Sequence, residues 1–166
     1  MGIKSREIVA RAGVDVNALI KLLNQAFCDE WLSYYQYWIG AQVAVGQLAP
    51  ALIPELKEHA AEELEHAEKI AKRLSELDAE PVLSPADWLE HSTCGYAAPM
   101  NPDAVEILLQ NLHSERCAIE VYEHILNLVK GKDLVTEHVI REILEDEVEH
   151  ETELQNMNPC CDCENE

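Results

Sequence analysis

Apolar residues recur along this chain with a helical period over four long stretches. In the first, Val16, Leu19, Ile20, Leu23, Phe27, Trp31, Tyr34 and Trp38 mostly fall three or four residues apart, which keeps them on one face of an α-helix. Asp15 precedes the run as an N-cap, and Gly46 and Pro50 lie past its end. The pattern predicts a first helix over residues 15–45. A second is predicted over 54–77, with Pro54 in its first turn, a third over 102–129, closed by Lys130-Gly131, and a fourth over 133–156. Ser5 to Ala12 reads as a short leading helix stopped by Gly13. Residues 78–101 differ: Pro81, Pro85, Gly95 and Pro99 break the period, leaving room for one short helical piece at Ser84-Pro85-Ala86-Asp87-Trp88.

The connections set the topology. Short links make helices one and two antiparallel, and likewise three and four, while the long segment between two and three can traverse the molecule. The fold class is therefore all-α, a four-helix bundle with one long crossover between helices two and three. The expected organisation is an N-terminal extension (1–14), a single bundle domain (15–156) and an acidic, cysteine-containing tail (157–166).

Composition narrows the function. The chain has 166 residues, 48% of them hydrophobic, and a net charge of −20. One substantial core is affordable at this length. So acidic a surface argues against nucleic acid as a partner, because phosphate recognition needs a basic one, and it attracts cations instead. No apolar run reaches the roughly 18 residues of a membrane span. Arg11 interrupts Ile8-Val9-Ala10, so no signal-peptide core is read, and the cytoplasm is the expected compartment, with most thiols reduced.

Two tetrads then stand out: Glu63-Leu64-Glu65-His66 and Glu147-Val148-Glu149-His150. On a helix, positions i and i+3 share a face, so the Glu and His of each tetrad can grip one ion. In a chain with 24 Glu and seven His, a Glu-x-x-His pair arises readily by chance, and one alone is usually a solvated surface pair. The arrangement carries more weight. A lone helical glutamate precedes each tetrad at nearly the same distance, Glu30 before Glu63 and Glu115 before Glu147. Tyr37 and Tyr122 each follow their lone glutamate by seven residues, two helical turns on. The halves read as two copies of one helix-pair plan. Together they offer four carboxylates and two imidazoles, the donor set of a dinuclear iron or manganese site inside a bundle.

On Glu30, Glu63, His66, Glu115, Glu147 and His150, the chain resembles the ferritin-like superfamily, over residues 15–155. Within it the resemblance is to Dps-like thioferritins, which combine a bacterioferritin-type dinuclear site with a Dps-like cage and a cysteine pair near the metals. The resemblance implies a ferroxidase: two iron ions per subunit, Fe2+ oxidised with hydrogen peroxide or O2, and ferric mineral stored inside a homo-oligomeric cage. It also implies that Glu63 and Glu147 bridge the metals, that Glu30 and Glu115 are terminal ligands, and that Cys94 and Cys117 are the redox thiols. Bacterioferritins hold haem through a methionine on helix two; that helix has none here, so haem is not expected. Twenty-four-subunit ferritins carry a fifth helix; only the short tail follows helix four, so a dodecamer is expected before a 24-mer. The alternative is a di-metal redox enzyme without a cage, such as a manganese catalase.

Several residues keep two readings. Glu62 and Asp146, each preceding a tetrad glutamate, are either carboxylate partners for the opposite half's imidazole or solvated helix charges. Tyr37 and Tyr122 either hydrogen-bond the metal-binding carboxylates or are core tyrosines. Cys117 lies about 200° round the helix from Glu115; it either faces Cys94 in the crossover or is a small core residue. Cys28 reads as core. Cys160, Cys161 and Cys163 suit one tetrahedral ion poorly and read as a frayed tail. His59, His91, His113, His124 and His138 lack the tetrad spacing and read most simply as surface residues, some of which an entry path could use.

Overall fold

The computed structural model describes residues 3–158. Six α-helices follow in order: α1 (Ile3–Arg11), α2 (Val16–Val43), α3 (Ala49–Glu76), α4 (Trp88–His91), α5 (Ala104–Val129) and α6 (Leu134–Met157), with a short 3-10 turn at Pro85–Asp87. The four long ones, α2, α3, α5 and α6, form the expected bundle; α2 packs chiefly on α3 and α5 chiefly on α6.

Local chemistry sets the helix starts. Asp15 accepts hydrogen bonds from the Asn17 and Ala18 amides, Asp103 from Val105 and Asp133 from Thr136. Each cap satisfies donors that the first turn leaves open. The core runs in two clusters, one around Leu19, Leu23, Ile70, Leu74, Ile125, Ile140 and Ile143, the other around Tyr37, Leu52, Leu56, Ile107, Leu108 and Leu154. At Gly40 a Cβ would stand 3.1 Å from Ile107 Cγ2 and 3.6 Å from Leu56 Cδ1, so only hydrogen lets α2 approach both neighbours there without displacing a side chain.

Three expectations need correction. The second helix starts at Ala49, not Pro54, with Pro50 in its first turn and Pro54 inside it. Proline removes one helical hydrogen bond near that end, and burial of Ala49, Leu52 and Leu56 holds the extra turn in place. Trp38 is 43% exposed; the buried stripe of α2 continues through Tyr37, Gly40 and Ala41, while Trp38 stacks on Tyr35 at the surface. His59 is buried, not on the surface.

The leading helix α1 is fastened to the bundle. Val9 and Val14 join the core, and the buried Arg73 of α3 donates to Ser5, Thr136 and Asp133, joining α1, α3 and α6. The crossover is pinned as well. Trp88 stacks on Trp31 at 5.0 Å, Asp29 accepts from the Thr93 and Cys94 amides at 2.8 Å, and Gln36 accepts from the Ala97 amide. The turn after α2 pairs with the chain ahead of α5 through Val45. The tail cysteines Cys160, Cys161 and Cys163 lie outside the described residues.

Candidate metal centre

Each pair of long helices delivers one half of the centre. Glu30 sits mid-way along α2, Glu63 and His66 along α3, Glu115 along α5, and Glu147 and His150 along α6. All six are at most 2% exposed, so the bundle turns them inward together.

The two imidazoles divide the donors into two sets. Around His66 Nδ1 lie Glu30 Oε2 at 3.4 Å, Glu63 Oε2 at 3.4 Å and Glu147 Oε1 at 3.3 Å. Around His150 Nδ1 lie Glu63 Oε1 at 3.8 Å, Glu115 Oε2 at 3.9 Å and Glu147 Oε2 at 3.4 Å. Glu63 and Glu147 thus give one oxygen to each set, while Glu30 and Glu115 serve one set each. Within each set the potential ligand atoms lie within 4.8 Å of one another. The ring centroids of His66 and His150 are 6.1 Å apart.

The outward atoms of these side chains are fixed by a second layer that crosses between halves. His66 Nε2 bonds Asp146 Oδ2 at 3.0 Å, and His150 Nε2 bonds Glu62 Oε2 at 2.8 Å. The Tyr37 hydroxyl donates to Glu115 and the Tyr122 hydroxyl to Glu30. Glu62, Asp146, Tyr37 and Tyr122 are thus each hydrogen-bonded to one of the six side chains. Burial, followed by the neighbouring glutamate charges, pushes both tyrosines well above the ordinary phenol range, so they stay protonated donors.

What the second layer leaves over is the test of fit. Glu30 Oε2, Glu115 Oε2, both Glu147 oxygens, His66 Nδ1 and His150 Nδ1 are buried without any hydrogen-bond partner. Buried polar atoms are rarely left so, and here they converge on two points. Electrostatics agrees. Burial, then the Glu147 charge, pushes the Glu63 and Glu115 carboxyls well above the usual range. Burial also opposes ionisation of Glu147, but the two imidazoles outweigh it and hold that carboxyl low. The same carboxylates hold both imidazoles above their ordinary value, against burial. Glu63 and Glu115 thus retain protons in the dry core until cations replace them. Four negative charges match two dications, and hard oxygen with imidazole suits iron or manganese.

The tetrads and lone glutamates lead to all six of these side chains but not to His59, which is buried beside them. Its ring stacks on His150 at 4.0 Å and stands edge-on to Tyr37 at 5.2 Å. Glu55 four residues earlier shares its helical face, a signal that a search for Glu-x-x-His alone passes over. Cys94 and Cys117 form a disulfide with Cα atoms 5.8 Å apart, which settles their open pairing and departs from the expectation of reduced thiols. Cys28 is buried, as expected, and burial, then the Asp29 charge, pushes its thiol up to about 11. No helix among the described residues is long and apolar enough to cross a membrane.

Comparison with known proteins agrees with this geometry. The profile of the ferritin-like domain matches residues 20–158. A dodecameric thioferritin, the bacterioferritin-related protein of Bacteroides fragilis, superposes with a TM-score of 0.91 at 45% identity, covering 93% of this chain and 91% of that one. The DNA protection during starvation protein of Pyrococcus furiosus is 32% identical over 92% of this chain and 83% of its own length. A bacterioferritin of Desulfovibrio desulfuricans is 28% identical over 84% of this chain and 73% of its own.

Proposed function

Because the chain belongs to the ferritin-like domain family, and within it is similar to Dps-like thioferritins, we propose that it is a ferroxidase and iron-storage protein. Its substrate is Fe2+, bound two ions per chain by Glu30, Glu63, His66, Glu115, Glu147 and His150. Hydrogen peroxide is the proposed oxidant. It takes one electron from each of two Fe2+ and, with two protons, leaves as two water molecules, so the products are two Fe3+. Ferric mineral then collects inside a dodecameric shell, in the cytoplasm.

The observation that carries this reading is the sharing of Glu63 and Glu147 between the two donor sets, one oxygen apiece. That is how two ions are held side by side, close enough for a two-electron oxidant to draw on both. The chain's own part is to bind, orient and exclude water. Asp146 and Glu62 fix the ring orientations so that Nδ1 faces inward. Tyr37 and Tyr122 fix the terminal carboxylates. Kinship with a dodecameric thioferritin supports the shell.

The test replaces Glu63 and Glu147 with Ala together. Rapid Fe2+ oxidation by peroxide, followed by absorbance of the ferric product, should be abolished while helical content by circular dichroism is retained. Oxidation at the unaltered rate refutes the assignment. Rapid release of O2 from peroxide by the manganese-loaded protein would favour the catalase alternative instead.

A further inference from the structure

Beyond the dinuclear centre, we propose that Glu55, His59 and Glu153 form a separate mononuclear site for a divalent first-row transition cation, at the open end of the same ligand ladder.

The geometry is that of a donor cluster without its ion. His59 Nε2 stands 3.0 Å from Glu153 Oε2 and 3.6 Å from Glu55 Oε1. One ligand atom from each residue fits within 4.8 Å of the others. The imidazole is 1% exposed and wedged between Tyr37 and His150, so its orientation is fixed. Its Nδ1 has no hydrogen-bond partner; the ring's polar engagement is all at the carboxylate side. Those carboxylates are 26% and 42% exposed, which leaves the cluster reachable from solvent. Among the described residues, neither pairs with a lysine or arginine. An imidazole nitrogen with two carboxylates and room for water is a donor set for Fe2+, Zn2+, Mn2+ or Co2+.

Charge points the same way. Burial, then the nearby Glu153 charge, raises Glu55. A cation held by both carboxylates would relieve that repulsion.

The internal repeat shows that this is no by-product of the bundle. The offset that relates Glu63 to Glu147, His66 to His150 and Glu62 to Asp146 relates His59 to Ile143, Glu55 to Val139 and Lys69 to Glu153. In the other half, then, the ring's place is taken by a buried isoleucine and the exposed acid's by a lysine, which lies 3.6 Å from Asp146. The dinuclear centre is built in both halves; this cluster is built in one.

The site does not depend on the reaction proposed above, and its test separates the two. Apo protein in its native assembly is titrated with Zn2+ by isothermal calorimetry, and crystals soaked in Zn2+ are measured at the zinc absorption edge. The isosteric double variant Glu55→Gln/Glu153→Gln should bind one Zn2+ fewer per chain than the wild type. The wild-type crystal should show an anomalous peak between Glu55, His59 and Glu153 that the variant lacks. Equal stoichiometry in the two proteins, or no peak at this position in the wild type, overturns the proposal. The zinc remaining in the variant reports on the dinuclear centre: two ions per chain sustain that reading, and none would sink it while leaving this one standing.

Discussion

The dinuclear assignment makes a quantitative demand on pH. Without metal, Glu63 and Glu115 keep protons in the folded protein at pH values where an unfolded glutamate has lost them. The imidazoles of His66 and His150 are shifted in the same direction. In all four the folded pKa exceeds the unfolded one, so the folded state binds more protons and apo stability falls as pH rises. The carboxyls act from about pH 4.3 upward and the imidazoles join above about pH 6.5. Glu147 is shifted the other way, but its effect lies below that window. Each retained proton changes stability by about 1.4 kcal/mol per pH unit. The two carboxyls together give about 2.7 kcal/mol, or about 5 to 11 °C in Tm per pH unit at this chain length. The protons belong to the cluster as a unit rather than to single residues. Two bound dications displace them, so the metal-loaded protein should lose this slope, and the gain in Tm on adding Zn2+ should grow from pH 5.5 to pH 8. Differential scanning calorimetry of apo and zinc-loaded protein across that range is the assay. Parallel pH curves for the two forms would show that the ions do not enter this cluster.

Two further outcomes follow from the surroundings of the centre. Asp146→Asn removes the charge that holds His66 Nε2, and affinity for Zn2+ should fall by about 10- to 100-fold, as read by competition with a chromogenic chelator; unchanged affinity would make Asp146 a bystander. Cys94→Ser opens a disulfide whose residues are 23 apart in sequence, which should cost about 3 kcal/mol on the chain-entropy account, measured by urea unfolding against the wild type. Loss under 1 kcal/mol would mean that Asp29, Gln36 and Trp31 hold the crossover on their own.

Local signals in the chain reach furthest where one residue decides. Asp15 caps α2 and Asp133 caps α6 because a short acidic side chain can reach amides two or three residues on. The glutamates and histidines of the tetrads are legible because i and i+3 necessarily share a face. Where packing overrides a local preference, the sequence misleads. Pro50 reads as a terminator and Pro54 as a start, yet α3 runs through both because Leu52 and Leu56 are buried against the second core cluster. Trp38 belongs to the apolar repeat but lies at the surface, displaced by Tyr37, whose hydroxyl is needed by a glutamate in another helix. No spacing rule announces Arg73, whose buried guanidinium meets Asp133 and Thr136 sixty or more residues away.

The crossed second layer says how the centre must assemble. Taken alone, α2 and α3 provide Glu30, Glu63 and His66, three donors for one ion. The tyrosine that fixes Glu30 is Tyr122 on α5, and the carboxylate that orients His66 is Asp146 on α6. The reverse pair depends in turn on Tyr37 and Glu62. Each half therefore carries the supports of the other, and each also lends one bridging carboxylate. Neither helix pair can form a finished mononuclear site, because its own ligands lack orientation until the second pair docks. Docking brings in the remaining negative charges at the same moment as the groups that organise them. The penalty for burying four carboxylates and the means of relieving it with two ions consequently arise in one step. Coupling of that kind makes the docking of the two helix pairs and the metal affinity a single equilibrium, so a substitution that loosens the contact between them, such as a larger side chain at Gly40, should weaken the binding of both ions together rather than one at a time.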